Sequence, residues 1–296
     1  RRTSHFSLLA FLLPIPMPTT PSRPYVLGTG DDELSRLSLQ HRLWSDAAAA
    51  AWKRASFGPG RRILDIGCGP GFASFDLAQL VTSGGEGRVV GVDESATFIE
   101  HLASQARARN LPQLTGHVGD VQKLGALDLA PHSFDGAYAR WVLCFVPDPE
   151  AVIAGAGALL RSGGSTVTHD YFNYPSMPAA PRLASHARLV AATAASWRAR
   201  GGDPDIAGRL PAILARHGLE TRDIRVHQRL ARGGGDDPMM AWPITWWNTF
   251  APKLVEMGSV TRAQCDEALA DLAAIERDPT RFIACPPVYE IVAQKR

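Results

Sequence analysis

Two kinds of apolar patterning alternate along this chain. Short strand-like runs, Arg62 to Ile66, Arg88 to Val92, Phe134 to Ala139 and Ser165 to His169, are separated by longer stretches. In those stretches apolar residues recur every three or four positions, from Phe72 to Thr82, Ser95 to Arg109 and about Pro149 to Leu160. A shorter strand is read at His117 to Gly119. Strands alternating with helices of this length predict a mostly parallel sheet with helices on both faces. Upstream, a helical pattern runs through Leu34, Leu37, His41 and Trp44 into an alanine-rich segment ending near Ala55. Thr29 and Asp32 have capping-box spacing at its start. Gly58-Pro59-Gly60 breaks the chain before the first strand.

Beyond Tyr174 the alternation is interrupted. A proline-punctuated helical stretch occupies about Pro175 to His217, and a strand follows from Leu219 to Leu230. After Gly233-Gly234-Gly235 a second insertion runs to about Arg281. It carries Trp242, Trp246, Trp247 and Phe250, then a helix from about Thr261 to Glu276. Pro286-Pro287 introduces a last strand, Val288 to Ala293.

Composition narrows the class without choosing the chemistry. With 296 residues, 45% hydrophobic and 20% charged, the chain can bury one large core plus a modest cap. A formal charge of +2, from 31 basic and 29 acidic groups, argues against a dedicated nucleic-acid binder, which carries a basic face. Cys68, Cys144, Cys265 and Cys285 are scattered, with no paired spacing and no histidine at ligand distance, so neither a zinc site nor a disulfide framework is expected. Reduced thiols fit a cytoplasmic protein. The apolar run Phe6 to Leu13 behind Arg1-Arg2 is too short to span a bilayer and no small-residue cleavage site follows it. Met17 opens a natural-looking leader, so residues 1–16 read as upstream sequence or a tail.

The chemistry concentrates where the first strand ends. Ile63-Leu64-Asp65-Ile66 runs into Gly67-Cys68-Gly69-Pro70-Gly71 and then a helix beginning at Phe72. A strand, a glycine loop and a helix start form a nucleotide-type site at the carboxyl edge of a parallel sheet. The dinucleotide fingerprint requires a glycine where Phe72 stands. Within the loop Cys68 needs only to be small and apolar. Asp93 ends the second strand, where an acidic side chain accepts from both ribose hydroxyls; capping the next helix is its alternative role. Glu94 is a lesser ribose candidate.

This G-x-G-x-G pattern, with an aspartate two residues before the first glycine, resembles motif I of the class I S-adenosylmethionine-dependent methyltransferases. Ser133-Phe134-Asp135-Gly136, Pro147-Asp148-Pro149 and Leu160-Arg161-Ser162-Gly163-Gly164 are similar to the ubiquinone/menaquinone-biosynthesis type of small-molecule enzyme within that class. The resemblance covers about Tyr25 to Lys295. It implies a Rossmann-like, doubly wound, seven-stranded, mostly parallel sheet with an antiparallel last strand and helical cap insertions. It also places Asp65 near the methionine portion of S-adenosylmethionine and Asp120 on the adenine amino group, with Val121 against the ring. Arg140 is a candidate partner of the methionyl carboxylate. Tyr25 and Gln40 are further contacts, on an amino-terminal segment that folds over the cofactor. Asp120 also weighs against the alternative of an NAD(P)-dependent oxidoreductase. A SAM-binding scaffold without catalysis is the other alternative.

On this reading the chain divides into a leader (1–24), an amino-terminal helical segment (25–57), the SAM-binding core (58–174) and a helical insertion (175–217). A core strand region (218–232), an aromatic-rich lid (233–281) and the final core strand (282–296) complete it. His169, Asp170 and Tyr171 follow the fifth strand and are candidates for a general base toward a hydroxyl acceptor. Trp141, Tyr171, Trp242, Trp246 and Trp247 are the candidate walls of an acceptor pocket for an aromatic or isoprenoid small molecule. The acceptor atom, whether oxygen, nitrogen or carbon, and the oligomeric state are left open.

Overall fold

The computed structural model describes residues 28–296. The leader and Tyr25 lie outside the described residues. The first helix, α1 (Asp31–Arg54), is followed by β1 (Arg62–Ile66), α2 (Phe72–Thr82), β2 (Arg88–Asp93), α3 (Ala96–Ala108) and β3 (Leu114–Val118). Then come β4 (Phe134–Arg140), α4 (Pro149–Leu159), β5 (Leu160–Tyr171), β6 (Ala179–Ala180), α5 (Ala184–Ala199) and α6 (Leu210–Arg216). The chain closes with β7 (Leu219–His227), β8 (Leu230–Arg232), α7 (Ala241–Glu256), α8 (Arg262–Arg277), β9 (Phe282–Ala284) and β10 (Val288–Lys295).

Seven strands form one sheet in the order β3-β2-β1-β4-β5-β10-β7, with β10 antiparallel to both of its neighbours. The strand order reverses at β1, which pairs in parallel with β2 on one side and β4 on the other. That switch point opens a crevice at the carboxyl ends of the strands. Alternation along β1 sends Ile63 to one face and Leu64 and Ile66 to the other, and both faces are covered, which is why the strand is apolar throughout. The carboxyl half of α1 joins α2 and α3 over Ile63, Val89, Tyr138, Val167 and Val292. On the opposite face α4 and α6 cover Leu64, Val90, Ala137 and Ala139.

The insertions build a cap. Helices α5, α7 and α8 pack on one another, and a small antiparallel sheet, β6-β9-β8, ties their ends together. Thr261 and Gln264 close a reciprocal capping box at the start of α8. The cap meets α1 where Trp242 Nε1 donates to Gln40 Oε1 at 3.1 Å.

Several boundaries differ from the sequence reading. Gly30, not Thr29, stands at the start of α1, with no side-chain cap. The strand read as Leu219 to Leu230 is two: β7 stays with β10, and β8 leaves for the small sheet. Strand β5 begins at Leu160 and runs to Tyr171, so His169 and Asp170 lie inside it rather than after it. Among the described residues no helix is long and apolar enough to cross a membrane.

Candidate active site

The turn after β1 is held from the next strand. Gly69 N donates to Asp93 Oδ2 at 2.9 Å, and Ser95 N donates to Asp93 Oδ1 at 2.9 Å. One carboxylate thus ties the glycine loop to the start of α3, whose helix is capped by Ser95 and not by Asp93. Gly67 and Gly69 have φ of +63° and +54°, a region that favours glycine. A Cβ on Gly67 would lie 2.5 Å from Val142 Cγ2, whereas at Gly69 nothing lies within 4 Å. The loop is packed behind and open in front. The missing Cβ of Gly91 leaves room for Cys68 Sγ, and burial pushes that thiol well above its ordinary range, with Asp65 and Asp93 adding to the effect. Cys68 is an inert spacer.

Three acidic side chains converge at the ends of β2 and β3. Burial raises the Asp93 carboxyl above its usual range, against the two amide bonds. Glu94 is raised as well, by burial and then by the charges of Asp93 and Asp120. Asp120 starts the short helical turn after β3, accepting from Gln122 N at 2.9 Å. Its burial is outweighed by Gln122 and Lys123, so its carboxyl sits below the usual range. Val121 is buried in the core beneath it.

On the other side of the loop a buried carboxyl lies within the electrostatic reach of a guanidinium. Asp65 is 2% exposed, and Ser74 Oγ donates to its Oδ2 at 2.5 Å. Burial raises its carboxyl to about 6, with Ser74 and the Arg140 guanidinium holding it down. Arg140 ends β4, and its Nη2 donates to His41 Nδ1 at 3.0 Å. Its Nη1 is buried and has no hydrogen-bond partner.

Aromatic rings cluster beyond Arg140. Trp141 stacks on Tyr171 with ring centroids 6.3 Å apart, and Trp44 packs edge-on to both Trp141 and Trp242. Trp141 holds φ of +54°, a strained conformation for a tryptophan. Sequence reasoning missed Trp44, although its place on the apolar face of α1 marked it as buried. Gln40 sits on the seam, its carbonyl taken by Arg36 and Trp242. Trp246 is stacked on Phe250 within the cap. Trp247 is 1% exposed against His186, on the far side of α7 from this cluster.

The candidate bases are committed elsewhere. Asp170 accepts from Leu143 N, Cys144 N and Tyr171 N at 2.9, 3.2 and 3.0 Å, so it anchors the segment after β4. Burial raises it to about 6, against the bonds that lower it. His169 points to the α1 side of the sheet, its Nε2 3.5 Å from Glu290 Oε2, and burial lowers its pKa against the opposing pull of Glu290. Tyr171 is buried and its hydroxyl is pushed well upward by burial. The expected base triplet is therefore split: strand alternation sends His169 and Asp170 to opposite faces, and only Tyr171 reaches the aromatic cluster. His169, His227 and Glu290 place ligand-type atoms within 4.8 Å of one another. Arg54 Nε already donates to Glu290 at 3.0 Å, so a guanidinium supplies the positive charge that a divalent ion would bring.

With this geometry in view, the core can be set beside known proteins that it is similar to. Residues 58–203 match the profile of a family described as a methyltransferase domain. The arsenite methyltransferase of Aquipseudomonas alcaligenes is 33% identical over 117 residues, 38% of this chain and 33% of that one. The 2-phytyl-1,4-naphtoquinone methyltransferase of Synechococcus elongatus is 36% identical over 132 residues, 44% of this chain and 53% of that one. The chain thus spans about a third to a half of the length of these curated relatives. The fold extends over the insertions too: geranyl diphosphate C-methyltransferase from Streptomyces coelicolor A3(2) superposes with a TM-score of 0.53 at 16% identity, covering 86% of this chain and 77% of that one.

Proposed function

We propose that this chain, whose residues 58–203 form a methyltransferase domain of the class I S-adenosylmethionine-dependent type, transfers a methyl group to a small molecule. The observation that carries the reading is the buried Asp65 carboxyl and the Arg140 guanidinium that acts on it, at the ends of the paired strands β1 and β4, where the glycine loop begins. A buried carboxylate next to a buried guanidinium nitrogen complements the ammonium and carboxylate of an amino acid. The diphosphate of a dinucleotide would instead meet Asp65 with like-charge repulsion. Asp93 would receive the ribose hydroxyls on the lone pairs its two amide bonds leave free. Asp120 would face the adenine, and Gly67, Gly69 and Gly71 would let the backbone lie against the cofactor.

S-Adenosylmethionine, when bound, supplies an electrophilic methyl on sulfur. The chain contributes orientation and dryness. Trp44, Trp141, Tyr171 and Trp242 are each 9% exposed or less and pack together beyond Arg140, where they would wall an acceptor. Three guanidinium groups lie on aromatic faces of this region: Arg140 over Trp141 at 5.1 Å, Arg36 over Trp246 at 5.7 Å and Arg229 over Trp44 at 4.7 Å. Arg36 is paired with Glu33 and Arg229 with Asp46, so the wall carries little net charge, and a charged amine would lose its water there without gaining a partner. The lining favours an acceptor with a flat ring, consistent with the naphthoquinone named for one relative. With His169 and Asp170 committed to structure, the acceptor supplies its own ionised oxygen or nucleophilic carbon, and alignment provides the acceleration. The cap, residues 233–281, serves as the acceptor lid, and the four buried, unpaired cysteines fit a cytoplasmic location.

Calorimetric titration with S-adenosylhomocysteine and with NADH tests the cofactor. Binding of the first alone is expected, and binding of NADH alone overturns the reading. Incubation with hydroxynaphthoquinones and with aryl amines, read by product mass, tests the acceptor class; methylation confined to amines refutes it.

A further inference from the structure

The partner of Arg140 is itself held. His41, on α1, accepts from Arg140 Nη2 at its Nδ1 (3.0 Å), and its Nε2 lies 3.0 Å from Asp76 Oδ2 on α2. A guanidinium has only donors, so the shared lone pair must be on His41 Nδ1. The imidazole proton then resides on Nε2 and is donated to Asp76. The ring is also stacked on Phe72 of α2 at 6.2 Å, and its side chain is 11% exposed against 45% for Asp76. One tautomer satisfies both contacts, and a carboxylate at the surface selects it.

We infer that Asp76 and His41 are positioning residues that aim Arg140 at the carboxylate of the cofactor. Resting on the S-adenosylmethionine reading above, this assignment explains why a histidine rather than a carboxylate holds Arg140. A second carboxylate would add to the charge of Asp65, whereas an imidazole lone pair orients Nη2 without adding charge and leaves Nη1 for a ligand. The charged and titratable groups around the pair are Asp76 from α2, Asp65 from β1, Tyr138 from β4 and His169 from β5, the last three facing Arg140. His101 of α3 touches only the far side, on Phe72.

The test compares two ligands. S-Adenosylhomocysteine carries the amino-acid carboxylate, and 5′-methylthioadenosine lacks it. His41→Ala is expected to weaken S-adenosylhomocysteine about tenfold or more, with less than about threefold change for 5′-methylthioadenosine. Asp76→Ala should do the same more weakly. His41→Gln offers a carbonyl to Arg140 and an amide to Asp76 without a titrating nitrogen. It should restore affinity for S-adenosylhomocysteine to within about threefold of the native protein. Thermal melting confirms that each variant is folded. Equal losses for both ligands, or no rescue by His41→Gln, overturn the relay alone. No binding of S-adenosylhomocysteine by the native chain overturns the cofactor reading and the relay with it.

Discussion

Replacing Asp93 with asparagine separates the two tasks of one carboxylate. Its two oxygens each accept one backbone amide at 2.9 Å, from Gly69 and from Ser95. A carboxylate has about four lone-pair sites, so two remain for the ribose diol. Asparagine keeps one accepting oxygen and turns an NH2 toward either Gly69 N–H or Ser95 N–H. In either rotamer one amide loses its acceptor and one hydroxyl loses a charged partner. A hydrogen bond to a charged group contributes about 1.5–3 kcal/mol, so S-adenosylhomocysteine should bind about 10- to 150-fold more weakly. The ligand-free protein should lose about 1–3 kcal/mol, the range for one unsatisfied buried group. The ionised carboxyl is already disfavoured by burial, which places the stability loss at the lower end. Calorimetry and urea unfolding read the two effects independently. Affinity unchanged within about threefold would remove Asp93 from the cofactor site, since that change lies below the loss of one charged bond.

Other outcomes follow from the same geometry. Gly69→Ala costs only the left-handed backbone strain, about 1–2 kcal/mol, because nothing lies within 4 Å, yet its methyl occupies the ligand face and should abolish S-adenosylhomocysteine binding in a calorimetric titration. Gly67→Ala adds a 2.5 Å contact with Val142 to that strain and should destabilise by about 2–5 kcal/mol in urea melts. Asp170 has a folded pKa of about 6, raised from 3.8, so its contribution is full below the unfolded value and declines as pH rises through about 6. The stability of the native protein relative to Asp170→Asn should therefore fall by about 2 kcal/mol between about pH 4 and pH 7; a flat difference would show that the group does not titrate there. Trp247→Ala should cost about 3–5 kcal/mol and leave S-adenosylhomocysteine affinity unchanged, while Trp242→Ala should lower turnover with the acceptor more than cofactor affinity. A large affinity loss in Trp247→Ala would place that ring at the site after all.

Much of the core was legible because its signals are local. Strand β1 and helix α2 fall where the apolar runs and the glycines place them, since parallel strands buried on both faces and a loop built on positive φ leave few alternative residues. Asp65, Asp93 and Asp120 stand at strand ends by the same count. The reversed last strand came only through the family resemblance, because nothing in Val288 to Ala293 records its direction. The fate of β5 was harder to read. His169, Asp170 and Tyr171 are adjacent in sequence, but a strand that runs two residues further than expected at its carboxyl end distributes them over two faces. One meets Glu290, one ties down Leu143 and Cys144, and one joins the aromatic wall.

By itself, then, the sequence determined the glycine loop, the acidic strand ends and the alternation that builds the sheet. These depend on what each segment can do alone. Tertiary structure alone decided that His41 and Asp76, 35 residues apart, would hold Arg140, and that Trp44 would meet Trp141 and Trp242. Helical periodicity tells which side of α1 is covered, but not by what. The strands β6, β9 and β8 are two or three residues long and pair across the cap, too short to leave a periodic trace. Contacts between distant segments are chosen by the packing of the whole chain, and that choice is absent from any one stretch of it.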